Sequence, residues 1–324
     1  MNNKQKWPLI ELQSPFADEQ GVIRLLEDRN MTRDALLNSV FSGTYDRPFV
    51  IDDGLTRSLY FSLKYVQSTM YTRDPIRLEF AYTQKMMSFM LFQHETRNIL
   101  MLGLGGGSLA KFCYSHLQEC QIRVVEIDPY VIGFRDQFHI PEDNERFSVI
   151  HDDATHYIGN CPIQPDVIMM DAFDRHGFSA SIDDQRFYRK ARSVLSPNGI
   201  LVANLAGSQT ERLTHLNWIR ETFEDHLLIL QIEDDGNHVV VAFRDRMYEP
   251  EWRQIEKQAK QLQNRFCMNF PRMAQKLERS KKLGYVERTI NTRGTTLPGL
   301  NEAPISSEPS AQKAAYGEFR ADSI

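Results

Sequence analysis

The hydrophobic pattern of the chain becomes regular from about residue 98 onward. Short continuous apolar runs alternate there with segments whose apolar positions have helical spacing. Such runs are typical of buried parallel strands, and the alternation predicts strands joined by right-handed helical crossovers. The predicted strands span residues 98–103, 122–127, 147–150, 166–170 and 200–205. The predicted helices lie at about 108–118, after Pro129, from about Ala154, at 183–195 and at 211–224.

The alternation ends after the fifth strand. Two further apolar runs, at 227–232 and 238–243, are separated only by Glu-Asp-Asp-Gly-Asn, which predicts a hairpin rather than another crossover. A terminal hairpin adds one antiparallel strand to the sheet. The fold predicted is therefore α/β, a methyltransferase-like doubly wound and mostly parallel sheet.

The N-terminal part of the chain has weaker patterns. Residues 48–54 and 58–62 read as two short strands around an Asp-Gly turn, which predicts a small β-hairpin, and residues 77–92 have helical spacing. Residues 1–46 show one weak helical stretch, near 31–40. The predicted organisation is an N-terminal extension (1–46), a β-hairpin and helix region (47–95), a Rossmann-like domain (96–246), C-terminal helices (247–290) and a flexible tail (291–324).

Residues 251–278 are charged and helical in pattern. Their apolar positions fit either helices that dock on the domain or a helix pair lying in solvent. The sequence leaves both arrangements open.

Composition removes several classes of function. With 324 residues, a net charge of −5 and 41% hydrophobic residues, the chain is a globular protein and not a globally basic nucleic-acid binder. It has no apolar run of membrane-spanning length, so we expect no membrane partner. The four cysteines lack metal-ligand spacing, which predicts a reduced, cytoplasmic protein without a metal site.

A glycine-rich turn follows the first predicted parallel strand. Gly103-Leu-Gly-Gly-Gly-Ser108 stands between a strand and a helix, where glycines permit close backbone approach and the helix offers free N–H groups. The lysine of a phosphate-binding P-loop is missing. The turn is therefore a candidate nucleotide site but not a phosphate-cradling P-loop.

Acidic residues follow the next three strands. Glu126 and Asp128 end the second strand, where an acid accepts hydrogen bonds from ribose hydroxyls. Asp153 follows the third and suits an adenine amino group, although simple capping of the next helix explains it as well. Asp171 and Asp174 follow the fourth strand, where they suit a cationic substrate or proton transfer from an amine, or form only a turn.

Several motifs follow one another along the chain: the N-terminal hairpin, Gln67, Glu79-Phe-Ala-Tyr82, the glycine turn, Val125-Glu-Ile-Asp128, Asp152-Asp-Ala154 and Asp171-Ala-Phe-Asp174. In these motifs and their order, residues 48–245 resemble the spermidine synthase (polyamine aminopropyltransferase) family. The resemblance implies transfer of an aminopropyl group from decarboxylated S-adenosylmethionine to an amine, leaving methylthioadenosine, with no prosthetic group. It also implies a dimer or a tetramer.

The resemblance assigns roles to individual residues. Asp171 would deprotonate the attacking amine, Asp174 would help bind it, and Tyr82 would orient both. Gln67, Glu126 and Asp153 would hold the nucleoside. The complete set that we expect to line the nucleoside is Gln67, Gly103, Gly105, Glu126, Asp128, Asp153 and Ala154.

The chain departs from the family pattern around the amine. Thr83 and Gln84 replace a His-Glu pair, Gly106 replaces an Asp, and Arg175-His-Gly-Phe178 replaces a proline-containing segment. Fewer acids and an added cation predict weaker diamine binding, and an acceptor other than putrescine. Two alternatives stay open: a methyltransferase using intact S-adenosylmethionine, whose carboxylate pairs with Arg175, and a non-catalytic adenosyl-nucleoside binder.

Overall fold

The computed structural model describes residues 7–14, 21–93, 95–174, 177–232 and 237–284. The predicted flexible tail, 291–324, lies outside the described residues. The strands are β1 (Leu9–Gln13), β2 (Val22–Leu26), β3 (Phe49–Asp52), β4 (Thr56–Ser62), β5 (Tyr65–Tyr71), β6 (Asn98–Leu102), β7 (Gln121–Glu126), β8 (Phe147–His151), β9 (Val167–Met170), β10 (Phe173–Asp174), β11 (Gly177–Phe178), β12 (Ile200–Leu205), β13 (Leu227–Gln231) and β14 (His238–Phe243). The α-helices are α1 (Arg33–Ser42), α2 (Ala81–Met86), α3 (Ser108–His116), α4 (Pro129–Gly133), α5 (Ala154–Gly159), α6 (Gln185–Val194), α7 (Gln209–Thr222), α8 (Trp252–Phe266) and α9 (Phe270–Lys282).

The N-terminal region is a five-stranded antiparallel sheet in the order β1-β2-β3-β4-β5, larger than the predicted hairpin. The hairpin around the Asp-Gly turn is present as β3 and β4. Strands β1 and β2, however, come from the segment for which only a weak helix was predicted, and β2 pairs directly with β3. One face of this sheet buries Leu12, Ile23 and Leu25 against Leu36 and Val40 of α1. Burial of that face is what holds the N-terminal segment in the sheet.

The helix predicted over 77–92 is shorter than the apolar spacing suggests. Residues Tyr71 to Arg77 form turns, and α2 begins only after Phe80, followed by a 3₁₀ helix over Met87–Leu91. The apolar residues of this segment are nonetheless buried in the main core. Helical spacing therefore identified the buried face and missed where the helix begins.

The main sheet confirms the predicted fold class. Its seven strands lie in the order β13-β14-β12-β9-β6-β7-β8, and β14 runs antiparallel to both of its neighbours. The pairs β12–β9, β9–β6, β6–β7 and β7–β8 are parallel. The terminal hairpin thus inserts its second strand beside β12, as a methyltransferase-like sheet requires.

The strand order reverses at β6. The chain passes from β6 to β7 and β8 on one side, and then returns to place β9 on the other side of β6. Ligands of doubly wound sheets bind beyond the carboxyl ends of the strands at such a switch point. Gly103 follows β6 and Asp171 follows β9, so both lie at this position.

The C-terminal helices dock on the main domain. Ile255, Ala259 and Leu262 of α8 and Met273 and Leu277 of α9 are buried in the same core as the 3₁₀ helix. The β13–β14 hairpin has no crossover helix of its own, so one face of the sheet at this end needs another cover. The docked helices supply it, which settles the question that the sequence left open.

Two features are absent from the part of the chain that the structure describes. No group of three His, Cys, Asp or Glu side chains there is arranged to hold a metal ion. None of the helices described combines the length and the apolar character needed to cross a membrane.

Candidate active site

The turn after β6 is shaped by glycines in the left-handed region. Gly103 has a φ of +96°, and a Cβ atom there would lie 2.2 Å from the carbonyl oxygen of Asp171. Gly105 has a φ of +51°, and Gly107, at +67°, is the N-terminal cap of α3. No other residue fits at Gly103, so the turn after β6 and the acid after β9 are in direct contact.

Glu126 ties the glycine turn to the end of β7. Its Oε2 accepts a hydrogen bond from the Leu104 N–H at 2.9 Å, and its Oε1 accepts one from the Asp128 N–H at 2.8 Å. The side chain is buried, and this burial raises the pKa of the carboxyl group, opposed by the backbone hydrogen bonds. Each oxygen has a second lone pair, so the carboxylate can still accept bonds from a ligand.

Asp128 and Asp153 both cap helices. Asp128 Oδ1 accepts from the Tyr130 N–H at 2.8 Å at the start of α4. Asp153 Oδ1 accepts from the N–H groups of Thr155 and His156, both at 2.9 Å, at the start of α5. Both of these Asp153 bonds use Oδ1 and neither uses Oδ2. Ala154, the first residue of α5, is buried beneath this cap.

Gln67 lies at an irregularity in the N-terminal sheet. Leu59 pairs with Ser68 but Tyr60 pairs with Val66, so Gln67 is the extra residue of a β-bulge. Bulges re-aim side chains and are common beside active sites. The next residue, Ser68, reaches the start of α3, where its Oγ lies 3.3 Å from Ser108 Oγ. Ser68, the neighbour of Gln67, thus lies against the glycine turn.

Asp171 is held by side chains from two other elements. Asn204 of β12 donates from Nδ2 to Asp171 Oδ1 at 2.9 Å, and Tyr82 of α2 also forms a side-chain hydrogen bond with the carboxyl group. Burial raises the pKa of Asp171, and these two bonds act in the opposite direction. The structure therefore brings together Tyr82 and Asp171, as predicted, with a third residue that the sequence analysis missed.

Asn204 had a signal in the sequence. The strand reads Ile-Leu-Val-Ala-Asn-Leu, and Asn204 is its single polar residue. A polar residue in a fully buried strand needs a partner, and here the partner is the candidate base. No motif marks this position, which is why motif analysis passed over it.

The second predicted acid lies on a small hairpin. Asp174 ends β10, and its backbone pairs with Gly177 of β11. The side chain of Asp174 and the whole of Arg175 lie outside the described residues. The hairpin is anchored by Phe178, whose ring stacks on His215 with centroids 3.8 Å apart, and His215 Nδ1 in turn lies 2.6 Å from the Tyr188 hydroxyl.

Comparison with known proteins identifies the family of the chain. Residues 79–234 match the family model of the spermine/spermidine synthase domain. A polyamine aminopropyltransferase from Neisseria meningitidis is 31% identical over 233 residues, which cover 71% of this chain and 89% of that protein. The chain belongs to the spermine/spermidine synthase family.

Solved structures show the same fold. A probable spermidine synthase from Corynebacterium glutamicum is similar with a TM-score of 0.53 and 19% identity, over 76% of this chain and 87% of that chain. Human methyltransferase-like protein 13, in complex with SAH, is similar with a TM-score of 0.51 and 21% identity, over 71% and 99% respectively. The second likeness shows that methyltransferases share this architecture.

The positions where this family member departs from the usual pattern have structural contacts. Thr83 is buried, and its hydroxyl donates to the Phe80 carbonyl at 2.7 Å. Gln84 donates from Nε2 to the Leu78 carbonyl at 2.9 Å. A Cβ atom at Gly106 would lie 2.6 Å from Ser68 Oγ, so no side chain fits at Gly106 without movement of its neighbours. At positions where the family pattern has titratable side chains, this chain thus has the neutral, hydrogen-bonded side chains of Thr83 and Gln84, and no side chain at Gly106.

Proposed function

We propose that this protein is an aminopropyltransferase that moves an aminopropyl group from decarboxylated S-adenosylmethionine to an amine acceptor and releases methylthioadenosine. The observation that carries the proposal is the Asp171 site. A desolvated carboxyl group, bonded by Tyr82 and Asn204, lies at the switch point of the sheet in contact with the glycine turn. Family membership supports the same reaction.

The nucleoside would bind along the carboxyl edge of β6, β7 and β8. Glu126, fixed by two backbone amides, is suited to accept hydrogen bonds from the ribose hydroxyls. Asp153 would accept from the adenine amino group through Oδ2, while Asp128 supports the site by capping α4. Gln67 would close the other side, and Gly103 and Gly105 allow the donor to approach the backbone.

Asp171 would act as the general base. The acceptor nitrogen attacks the aminopropyl carbon bonded to sulfur, the C–S bond breaks with its electron pair going to sulfur, and methylthioadenosine leaves. An ammonium must lose a proton to supply the attacking lone pair, and Asp171 would take that proton. A carboxyl group whose pKa is raised by burial holds a proton better than an exposed one, which favours the transfer.

The acceptor would carry less charge at its end distant from the reacting nitrogen than a diamine of the family pattern. Thr83 and Gly106 supply no carboxylate or imidazole to a distant ammonium group. Each missing charge pair removes an attractive interaction in a partly desolvated site. We therefore expect an acceptor other than putrescine. The dimer or tetramer that the family resemblance implies stays a prediction.

The test is the identity of the nucleoside product. The protein is incubated with decarboxylated or with intact S-adenosylmethionine and a pool of mono-, di- and polyamines, and the nucleosides are identified by mass spectrometry. The proposal predicts methylthioadenosine from the decarboxylated donor only, and loss of product by at least 100-fold in Asp171→Asn. S-adenosylhomocysteine from the intact donor would instead make the protein a methyltransferase.

A further inference from the structure

Asn204 is a buried polar residue whose side-chain amide uses its N–H side but not its oxygen for hydrogen bonding. The residue is 3% exposed and lies at the carboxyl end of β12, between β9 and β14. Its Nδ2 donates to Asp171 Oδ1 at 2.9 Å. Its Oδ1 is buried and has no hydrogen-bond partner among the residues that the structure describes.

The unpaired amide oxygen of Asn204 is unfavourable when only folding stability is considered. An amide oxygen removed from water without a partner destabilises the native state, and an apolar residue of similar volume avoids that cost. The other five residues of the strand are all apolar and buried. Packing of β12 therefore does not require an asparagine at this position, whereas Asp171 does make use of its N–H group.

Asn204 and Tyr82 hold Asp171 from separate elements. Tyr82 belongs to α2, and α2 packs against β12 and β14 on the side of the sheet where the even-numbered residues of β12 lie. The Asp171 backbone is fixed as well, because its N–H donates to the Leu102 carbonyl at 2.9 Å. With its backbone and two side-chain partners fixed, the carboxyl group is confined to one orientation.

We propose that Asn204 is a positioning residue for Asp171: its Nδ2 donates to Asp171 Oδ1 and holds the carboxylate in the orientation in which it receives the proton of the amine. This inference rests on the proposed function for its chemical meaning. The part of the proposal that concerns the protein alone, that Asn204 stabilises the carboxylate form of Asp171, does not depend on which substrate binds. Of the described groups, Asn204 and Tyr82 are the two whose hydrogen bonds favour ionisation of Asp171. The nearest titratable residue along the neighbouring strand is His238, which pairs with Leu205 and is itself buried.

The test replaces Asn204 by leucine, with Asn204→Ala as a smaller second variant. The Asp171 carboxyl group is titrated by NMR with carbon-13-labelled aspartate, and Asp171→Asn assigns its signal. We expect the Asp171 pKa to rise by about one unit in both variants, while the melting temperature of Asn204→Leu stays at or above that of the wild type. Tyr82→Phe, which removes the other bond, should raise the same pKa.

Activity supplies the second measurement. We expect kcat to fall at least tenfold at neutral pH, with the acid limb of the kcat/KM profile displaced upward by the same amount as the NMR titration, and nucleoside affinity unchanged. An unmoved Asp171 pKa in a folded variant overturns the proposal, and so does unfolding of both variants, which would make Asn204 a structural residue. If the wild type forms no methylthioadenosine, the proposed function fails while the titration still decides the role of Asn204.

Discussion

Gly103 and Asp171 meet at a distance that leaves no space for a side chain. A Cβ atom at Gly103 would lie 2.2 Å from the Asp171 carbonyl oxygen, and its φ is +96°. The glycine turn, which would receive the donor, and Asp171, which would receive the proton, are therefore in direct contact.

Gly103→Ala should damage both folding and catalysis. Overlap with backbone atoms and the positive φ should together cost about 3 kcal/mol or more of unfolding free energy. Any folded fraction should lose activity, because relief of the clash moves Asp171. Urea unfolding and product assays measure the two effects. Gly43→Ala, at a glycine that also has positive φ but has nothing within 4 Å, is the control for the conformational term alone. Equal losses in the two variants would contradict a role for the close contact.

Gly106→Ala tests why the acidic position of the family is empty here. Its Cβ atom would lie 2.6 Å from Ser68 Oγ and 3.0 Å from Phe138 Cδ1, so we expect a loss of about 1–3 kcal/mol in unfolding free energy. Adding Ser68→Ala should restore part of it, because the shortest contact is with the hydroxyl. A double-mutant cycle by urea unfolding measures this coupling. Additive effects would show that Ser68 does not exclude a side chain at Gly106.

Glu126 and Asp128 should differ sharply when each is replaced by its amide. Glu126→Gln places an NH₂ group against one of the N–H groups of Leu104 and Asp128, so we expect at least tenfold weaker methylthioadenosine binding and a loss of about 1–3 kcal/mol in stability. Asp128→Asn keeps a good helix cap and should change both quantities little. Calorimetric titration of each variant with methylthioadenosine measures the difference in binding. The reverse order of effects would assign the ribose to Asp128.

Lys111 makes stability depend on pH. It lies on α3, its Nζ donates to the Phe138 carbonyl at 2.8 Å, and burial, helped by nearby Arg57, lowers its pKa to about 7. Between pH 7 and about 10.5 the unfolded chain holds a proton that the folded chain lacks, so stability rises with pH across that window. We expect the unfolding free energy at pH 7 to be lower than at pH 9 by on the order of 2–3 kcal/mol from this group.

Lys111→Met should remove that pH dependence. The variant should gain stability relative to the wild type as the pH falls from 9 to 7, measured by urea unfolding at several pH values. Lys257→Met, at an exposed lysine of α8, is the matched control and should follow the wild type. A wild-type slope that persists in Lys111→Met would show that another group titrates.

The main sheet was predictable because its central parallel strands β6, β9 and β12 are buried on both faces. Such strands give continuous apolar runs, and the helices between them have apolar residues at helical spacing. Each element can therefore be recognised from its own residues. Strands β1 and β2 could not be recognised in this way, because they are short, antiparallel and partly exposed. Their burial patterns are set by the pairing of β2 with β3 and by packing against α1. Their structure depends on distant residues.

The candidate site divides in the same way. The acids at strand ends and the glycine turn follow from sequence order, since the carboxyl ends of parallel strands meet at one edge. The role of Asn204 does not follow from sequence order, because a lone asparagine in a strand forms no motif. Its role is visible only once β12 is known to lie beside β9. The uses of Thr83 and Gln84 were equally hidden, because each bonds a backbone carbonyl in the loop before α2 or at its start.

The measurement that tests the central claim most directly follows the transferred group itself. The wild-type protein is incubated with decarboxylated S-adenosylmethionine labelled with carbon-13 in its aminopropyl carbons, together with the amine pool, and the amines are analysed by mass spectrometry. We predict that the label appears in one amine, heavier by one aminopropyl group, in equal amount to methylthioadenosine, and that Asp171→Asn abolishes both. Label that stays with the nucleoside, together with methyl transfer in a parallel incubation with intact S-adenosylmethionine, would contradict the account.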